Sequence, residues 1–74
     1  MLSTSQVVAV CLLAQGMTKG QAADELGLSV NTVKTQLRLA SDVLETRTVA
    51  HTVARCIALG IISPEGKPLV QHAR

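Results

Sequence analysis

With 74 residues, 47% of them apolar, the chain has room for one small domain, which buries a smaller share of its surface than a longer fold would. It contains no Phe, Trp or Tyr, so it lacks the stacking platforms on which RNA and single-strand binders hold splayed bases, and duplex DNA is the better-suited nucleic acid. The net charge of +2 neither requires nor forbids such a partner, but it is unevenly spread: up to Asn31, Lys19 faces Asp24 and Glu25, whereas beyond it Lys34, Arg38, Arg47 and Arg55 outnumber Asp42 and Glu45.

Ser3 followed three residues later by Gln6 is a capping box, so a first helix is expected to begin after Ser3 and to end at Gly16. Val10, Leu13 and Ala14, with Ala9 and Leu12 beside them, form its broad apolar face. The longest apolar run, Val7 to Ala14, falls far short of the roughly 20 residues that cross a bilayer, and no basic region precedes it as in a secretory signal. A cytoplasmic protein without a membrane partner is expected. Thr18 and Gln21 repeat the capping box for a second helix, with Ala22, Ala23 and Leu26 facing inward and Gly27 as a left-handed stop.

A third helix starts from Ser29 as N-cap and runs to Leu44 or Glu45. Val33, Leu37, Ala40 and Leu44 recur at i, i+4, i+7 and i+11, the spacing of one buried face, whereas Asn31, Lys34, Thr35 and Arg38 fall on the other side. A fourth helix begins at Thr48 and continues through His51, Arg55 and Leu59 to Gly60, after which Ile61 and Ile62 can fold back on the last turn. The predicted fold is therefore all-α, four helices in a helix-turn-helix domain over residues 1–62. A short C-terminal tail, 63–74, follows. Its Pro64-Glu65-Gly66-Lys67-Pro68 segment is turn-like, the Leu69-Val70 pair follows, and the tail as a whole is expected to be partly disordered.

No catalytic constellation accompanies these helices: there is no paired carboxylate cluster, no phosphate-cradling glycine loop and no nucleophile beside a plausible base, so no enzyme is expected. His51 and His72 read as surface or helix residues. Cys11 and Cys56 stand apart from any CxxC pair or zinc-ligand spacing and read as small buried hydrophobes, with no metal and no cofactor implied.

The exposed stripe of the third helix is the candidate site. Lys34 and Arg38 lie one turn apart, so both can donate to guanine O6 and N7 or hold phosphates in one groove. Asn31 and Thr35 can hydrogen-bond base edges, and Val30 can touch a thymine methyl. Ser29 and Thr32 sit at the helix N-terminus, where the dipole favours a phosphate; the alternative for Ser29 is a role as cap alone. Thr18, Lys19 and Arg47 are candidates for anchoring the DNA backbone from flanking elements.

These residues resemble the LuxR-type helix-turn-helix domain, also called FixJ or GerE type, found at the C-terminus of many bacterial response regulators. The likeness covers about residues 2–62 and rests on joint order and spacing. Its parts are Leu2-Ser3, Leu12-Leu13-Ala14-Gln15-Gly16-Met17-Thr18, Ala23-Asp24-Glu25-Leu26-Gly27-Leu28-Ser29, Thr32-Val33-Lys34, Leu37-Arg38, Val53-Ala54 and Leu59-Gly60-Ile61-Ile62. The resemblance implies that the third helix enters the major groove, with Lys34, Thr35 and Arg38 on bases and phosphates, and that the fourth supplies a dimer contact. The chain departs from the family pattern at Gln6 and Val8, at Gly20-Gln21-Ala22, at Gln36, and at Ser41, where a large apolar residue is usual. A glycine at position 20 is expected to loosen the second helix or to allow unusually close packing. A weaker resemblance runs to the DNA-binding region of sigma factors.

The fourth helix carries more apolar positions than one buried face needs, Val49, Val53 and Cys56 on one stripe and Ala50, Ala54 and Ile57 on another. A homodimer through Ala50, Val53, Ala54 and Ile57 is expected, reading an inverted repeat with half-sites about one helical turn apart. Val7, Val8, Leu39 and Val43 are further apolar positions available to cover Leu69-Val70 or a protein partner. A protein partner such as RNA polymerase or another regulator is the alternative to duplex DNA.

Overall fold

Each helix begins where a side-chain oxygen takes over an otherwise unpaired amide. In the computed structural model, which describes residues 2–69, α1 (Thr4–Ala14) opens on Ser3, whose hydroxyl accepts from the Gln6 amide at 3.2 Å while the Gln6 side chain accepts from the Ser3 amide at 3.0 Å. The same reciprocal pair, Thr18 with Gln21 at 3.1 and 2.9 Å, opens α2 (Lys19–Leu26). Ser29 caps α3 (Val30–Leu44) and Thr48 caps α4 (Val49–Ala58), each hydroxyl accepting from the amide three residues on. These are interactions between near neighbours in the chain, which is why the predicted starts hold.

The ends follow equally local rules. Gly27 closes α2 at φ 68°, and the Leu28 amide reaches back to the Ala23 carbonyl at 2.9 Å. After α4, Gly60 at φ 74° turns the chain so that the Ile61 amide meets the Cys56 carbonyl at 2.8 Å, and Ile61 and Ile62 are driven into the core as expected. α3 stops without a glycine. Glu45 itself takes the left-handed conformation at φ 57°, and the Thr46 amide donates to the Ser41 carbonyl at 3.0 Å.

The architecture is all-α, four helices with no strand among the described residues beyond one isolated bridge between Ile62 and Pro68. α3 packs against all three other helices, and α1 does likewise. The core is aliphatic and small: Val10, Val33, Cys56 and Ile62 are fully enclosed, and Ala9, Ala22, Ala23 and Ala40 let the helix backbones approach closely. Each fully buried Val or Ile contributes about 1.5–3 kcal/mol. No helix among the described residues is long and apolar enough to cross a membrane.

One polar node lies within this core. The Thr52 hydroxyl, on a residue 2% exposed, donates to the Thr48 carbonyl at 2.9 Å and lies 2.9 Å from the Ser41 hydroxyl and 2.6 Å from that of Thr46. With its one proton given to the carbonyl, its two lone pairs are left to accept from Ser41 and Thr46, and the group is saturated. Ser41 therefore joins α3 to α4 by a hydrogen bond where a large side chain would only pack. Among the described residues no buried side-chain nitrogen or oxygen is left without a partner.

Several expectations change. Residues 63–69, expected to be partly disordered, form a tight turn in which the Ser63 amide donates to the Lys67 carbonyl at 2.7 Å and the Leu69 amide to the Ile61 carbonyl at 2.9 Å. The turn is held on the end of α1 by Gln15, whose Nε2 donates to the Gly66 carbonyl at 3.0 Å across 51 positions of sequence. Val70-Gln71-His72-Ala73-Arg74 lie outside the described residues. In α1 the most deeply buried positions are Val7, Ala9, Val10 and Cys11, while Leu13 and Ala14 are only half-buried; Val7 is a core residue, not a spare surface one. A side chain at Gly20 would meet only the Thr18 hydroxyl, at 3.8 Å, so no close packing explains that glycine. Leu69, for which Val7, Val8, Leu39 and Val43 seemed to offer cover, stays 49% exposed.

Candidate nucleic-acid interface

α3 divides its sides as its sequence period requires. Val33, Leu37 and Ala40 are buried, Leu44 is half-buried, and Val30, Asn31, Thr32, Lys34, Thr35 and Arg38 are all exposed. At 1.5 Å per residue its 15 residues make a rod about 22 Å long, and an α-helix fits a B-DNA major groove roughly 12 Å wide.

The tertiary structure then gathers cations that are scattered in sequence. A shallow hollow on one flank of α3 is lined by Lys34 and Arg38 from α3, Lys19 from the first turn of α2, and Arg47 from the loop ahead of α4. Ser41, Asp42, Thr46 and Thr48 complete its polar wall. Four of the chain's seven Lys and Arg residues thus share one depression with a single carboxylate. Positive potential is focused there far beyond what the net charge of +2 conveys. The hydroxyl node on Thr52 braces this wall, since Ser41, Thr46 and Thr48 belong to both.

Asp42 is the residue that charge counting on the sequence did not single out. Its carboxylate stands 3.9 Å from the Arg38 guanidinium, one turn along α3, with both side chains about two-thirds exposed. An exposed pair of this kind is worth only about 0.3–0.5 kcal/mol, and at this separation it ties up none of the five guanidinium donors in a hydrogen bond. Spacing i, i+4 is visible in sequence; that the pair stands among three further cations is not.

The hydroxyl candidates divide differently. The Thr18 and Ser29 oxygens already accept from helix-start amides, and the Thr32 hydroxyl lies 3.0 Å from that of Ser29. Thr32 also faces the opposite flank of α3, where with Val8, Leu26, Leu28 and Val33 it lines a more apolar groove between α1 and α3. Asn31 and Thr35 are exposed on α3 outside both depressions.

No family model, curated protein or solved structure matches the chain. The site therefore stands on its own geometry. On α4, Val53 and Ile57 are half-buried and pack against the core while Ala50 and Ala54 are exposed, so that at 100° per residue the four positions adjoin on one side of the helix but only the two alanines lie open. Burial pushes both the Cys11 and Cys56 thiols up from their ordinary value, and for Cys56 the neighbouring Cys11 adds to the effect. They behave as core atoms. Among the described residues no group of three or more His, Cys, Asp or Glu is placed to hold a metal.

Proposed function

We propose that the chain is a LuxR-type helix-turn-helix domain that binds duplex DNA sequence-specifically and serves as a bacterial-type, cytoplasmic transcriptional regulator without catalytic activity. The observation that carries this reading is the convergence of Lys19, Lys34, Arg38 and Arg47 on one hollow beside the exposed face of α3. With α3 in the major groove, Lys34 and Arg38 reach base edges or phosphates, Asn31, Thr35 and Val30 offer further base contacts, and Lys19 and Arg47 hold the backbone on one side. Thr18, Ser29 and Thr32 contribute chiefly by fixing the helix starts from which these side chains project.

A module this small makes few phosphate contacts and binds weakly alone, so the reading includes a two-fold dimer through Ala50, Val53, Ala54 and Ile57. The target is an inverted repeat with half-sites about one helical turn apart. Selection of bound sequences from a random duplex pool tests binding, symmetry and specificity together. Lys34→Ala and Arg38→Ala then each weaken binding to the selected sequence by about 1–3 kcal/mol with the fold unchanged. Retention of full affinity by both variants at fixed salt removes α3 from the interface.

The second reading, a helix-turn-helix scaffold that docks on a protein such as RNA polymerase or another regulator, is favoured by the apolar groove of Val8, Leu26 and Leu28, the last 45% exposed. Tight protein binding with no retention of any duplex decides for it.

A further inference from the structure

A carboxylate on a surface meant for a polyanion works against binding in general, and Asp42 is the only one lining the hollow with Lys19, Lys34, Arg38 and Arg47. Nothing in the core depends on it: its side chain is 66% exposed, it caps no helix, and among the described residues its one ion pair is with Arg38 at 3.9 Å. Its placement one turn beyond Arg38 does give it a grip on where that guanidinium points.

Resting on the duplex-reading function proposed above, we infer that Asp42 is a specificity-determining residue, which orients Arg38 toward a base edge and penalises its use on phosphate. Against random sequence, Arg38 has only phosphates to meet. To reach one it must leave Asp42, and the carboxylate itself repels the approaching strand. At the correct site the guanidinium can stay paired in charge with Asp42 while presenting two parallel N–H groups to guanine O6 and N7, because its donors form a rigid planar fork. The carboxylate then aligns the reader in the matched complex and obstructs the unmatched one, so the discrimination comes from a repulsive element as well as an attractive one.

The test compares the wild-type chain with Asp42→Asn and Asp42→Glu, measuring Kd at one fixed salt concentration for the duplex selected from the random pool and for a random-sequence duplex of equal length. Asp42→Asn should bind the random duplex about two- to fivefold more tightly, the selected one no more tightly than wild type, so that the ratio of the two affinities falls at least about two- to fivefold. Asp42→Glu, which keeps a carboxylate within reach of Arg38, should restore most of that ratio. Far-ultraviolet circular dichroism of each variant guards against a change of fold. An unaltered ratio, or a loss of affinity for both duplexes alike, overturns the inference while leaving the duplex-binding reading intact. Failure of the wild-type chain to retain any duplex overturns the reading and the inference together.

Discussion

Thr52→Val replaces a hydroxyl by a methyl of nearly the same shape at a position 2% exposed, and so tests what holds α4 against the end of α3. Three hydrogen bonds disappear, at 2.6, 2.9 and 2.9 Å. The Thr48 carbonyl keeps the Thr52 amide at 2.9 Å, and the half-buried Ser41 hydroxyl can turn to water. Thr46, 9% exposed, is left with a buried hydroxyl and no partner. The bonds to Ser41 and to the Thr48 carbonyl, whose partners are satisfied otherwise, cost about 1 kcal/mol together, and the orphaned Thr46 hydroxyl costs about 2 kcal/mol. Burial of the new methyl returns about 0.8 kcal/mol. The balance is a loss of about 2 kcal/mol, or about 8–16 °C in Tm for a domain of this size. Because the chain has no Trp or Tyr, unfolding is followed by far-ultraviolet circular dichroism in urea and on heating. Ser41→Ala in the Thr52→Val background should cost markedly less than in the wild type, since the two hydroxyls share one bond. A loss below about 0.5 kcal/mol for Thr52→Val, the range of an inert surface change, would refute the idea that these hydroxyls form a structural joint.

Gly66→Ala should destabilise by about 1–3 kcal/mol, because φ is +87° and a Cβ would lie 2.8 Å from Gln15 Cγ and 3.0 Å from the Cys11 carbonyl. Gly27→Ala, at φ +68° with open space around it, should cost only about 1 kcal/mol; equal losses in urea unfolding would show that the turn is not pressed on α1. Burial raises the Cys11 and Cys56 thiols above 9.0, so the stability they contribute is complete below about pH 9 and declines as pH climbs past it toward the folded values. Iodoacetamide should label both thiols far more slowly in the native chain than in urea at about pH 8.5, and similar rates would contradict their enclosure. Ala54→Glu, at an exposed position of α4, should leave stability within about 0.5 kcal/mol of wild type but yield a monomer in sedimentation. A persistent dimer would place the subunit contact elsewhere.

Features decided by near neighbours were legible in the sequence. Capping pairs three residues apart announced the starts of α1 and α2, Ser29 and Thr48 announced those of α3 and α4, and the period of Val33, Leu37 and Ala40 announced which side of α3 faces outward. α1 was harder, because it is apolar on almost every side and its period does not choose between Val7 and Leu13; the packing of α3 and α4 makes the choice. The turn over 63–69 was legible in its Pro-Gly composition but its order was not, because what holds it is a contact with Gln15 far back in the chain. The Thr52 node needs hydroxyls from the end of α3, the following loop and α4 to meet, and polar residues of this kind read as surface until the helices are placed. The hollow was half visible: Lys34 and Arg38 share a helix face, whereas Lys19 and Arg47 join them only through the tertiary fold.

The Gln15–Gly66 bond sews the last described element to the first helix. Lifting the turn takes the Gly66 carbonyl from Gln15, and unwinding the end of α1 removes the seat on which the turn rests. The two openings are therefore coupled, and protease cleavage after Ile62 should loosen the end of α1 as well as shorten the chain.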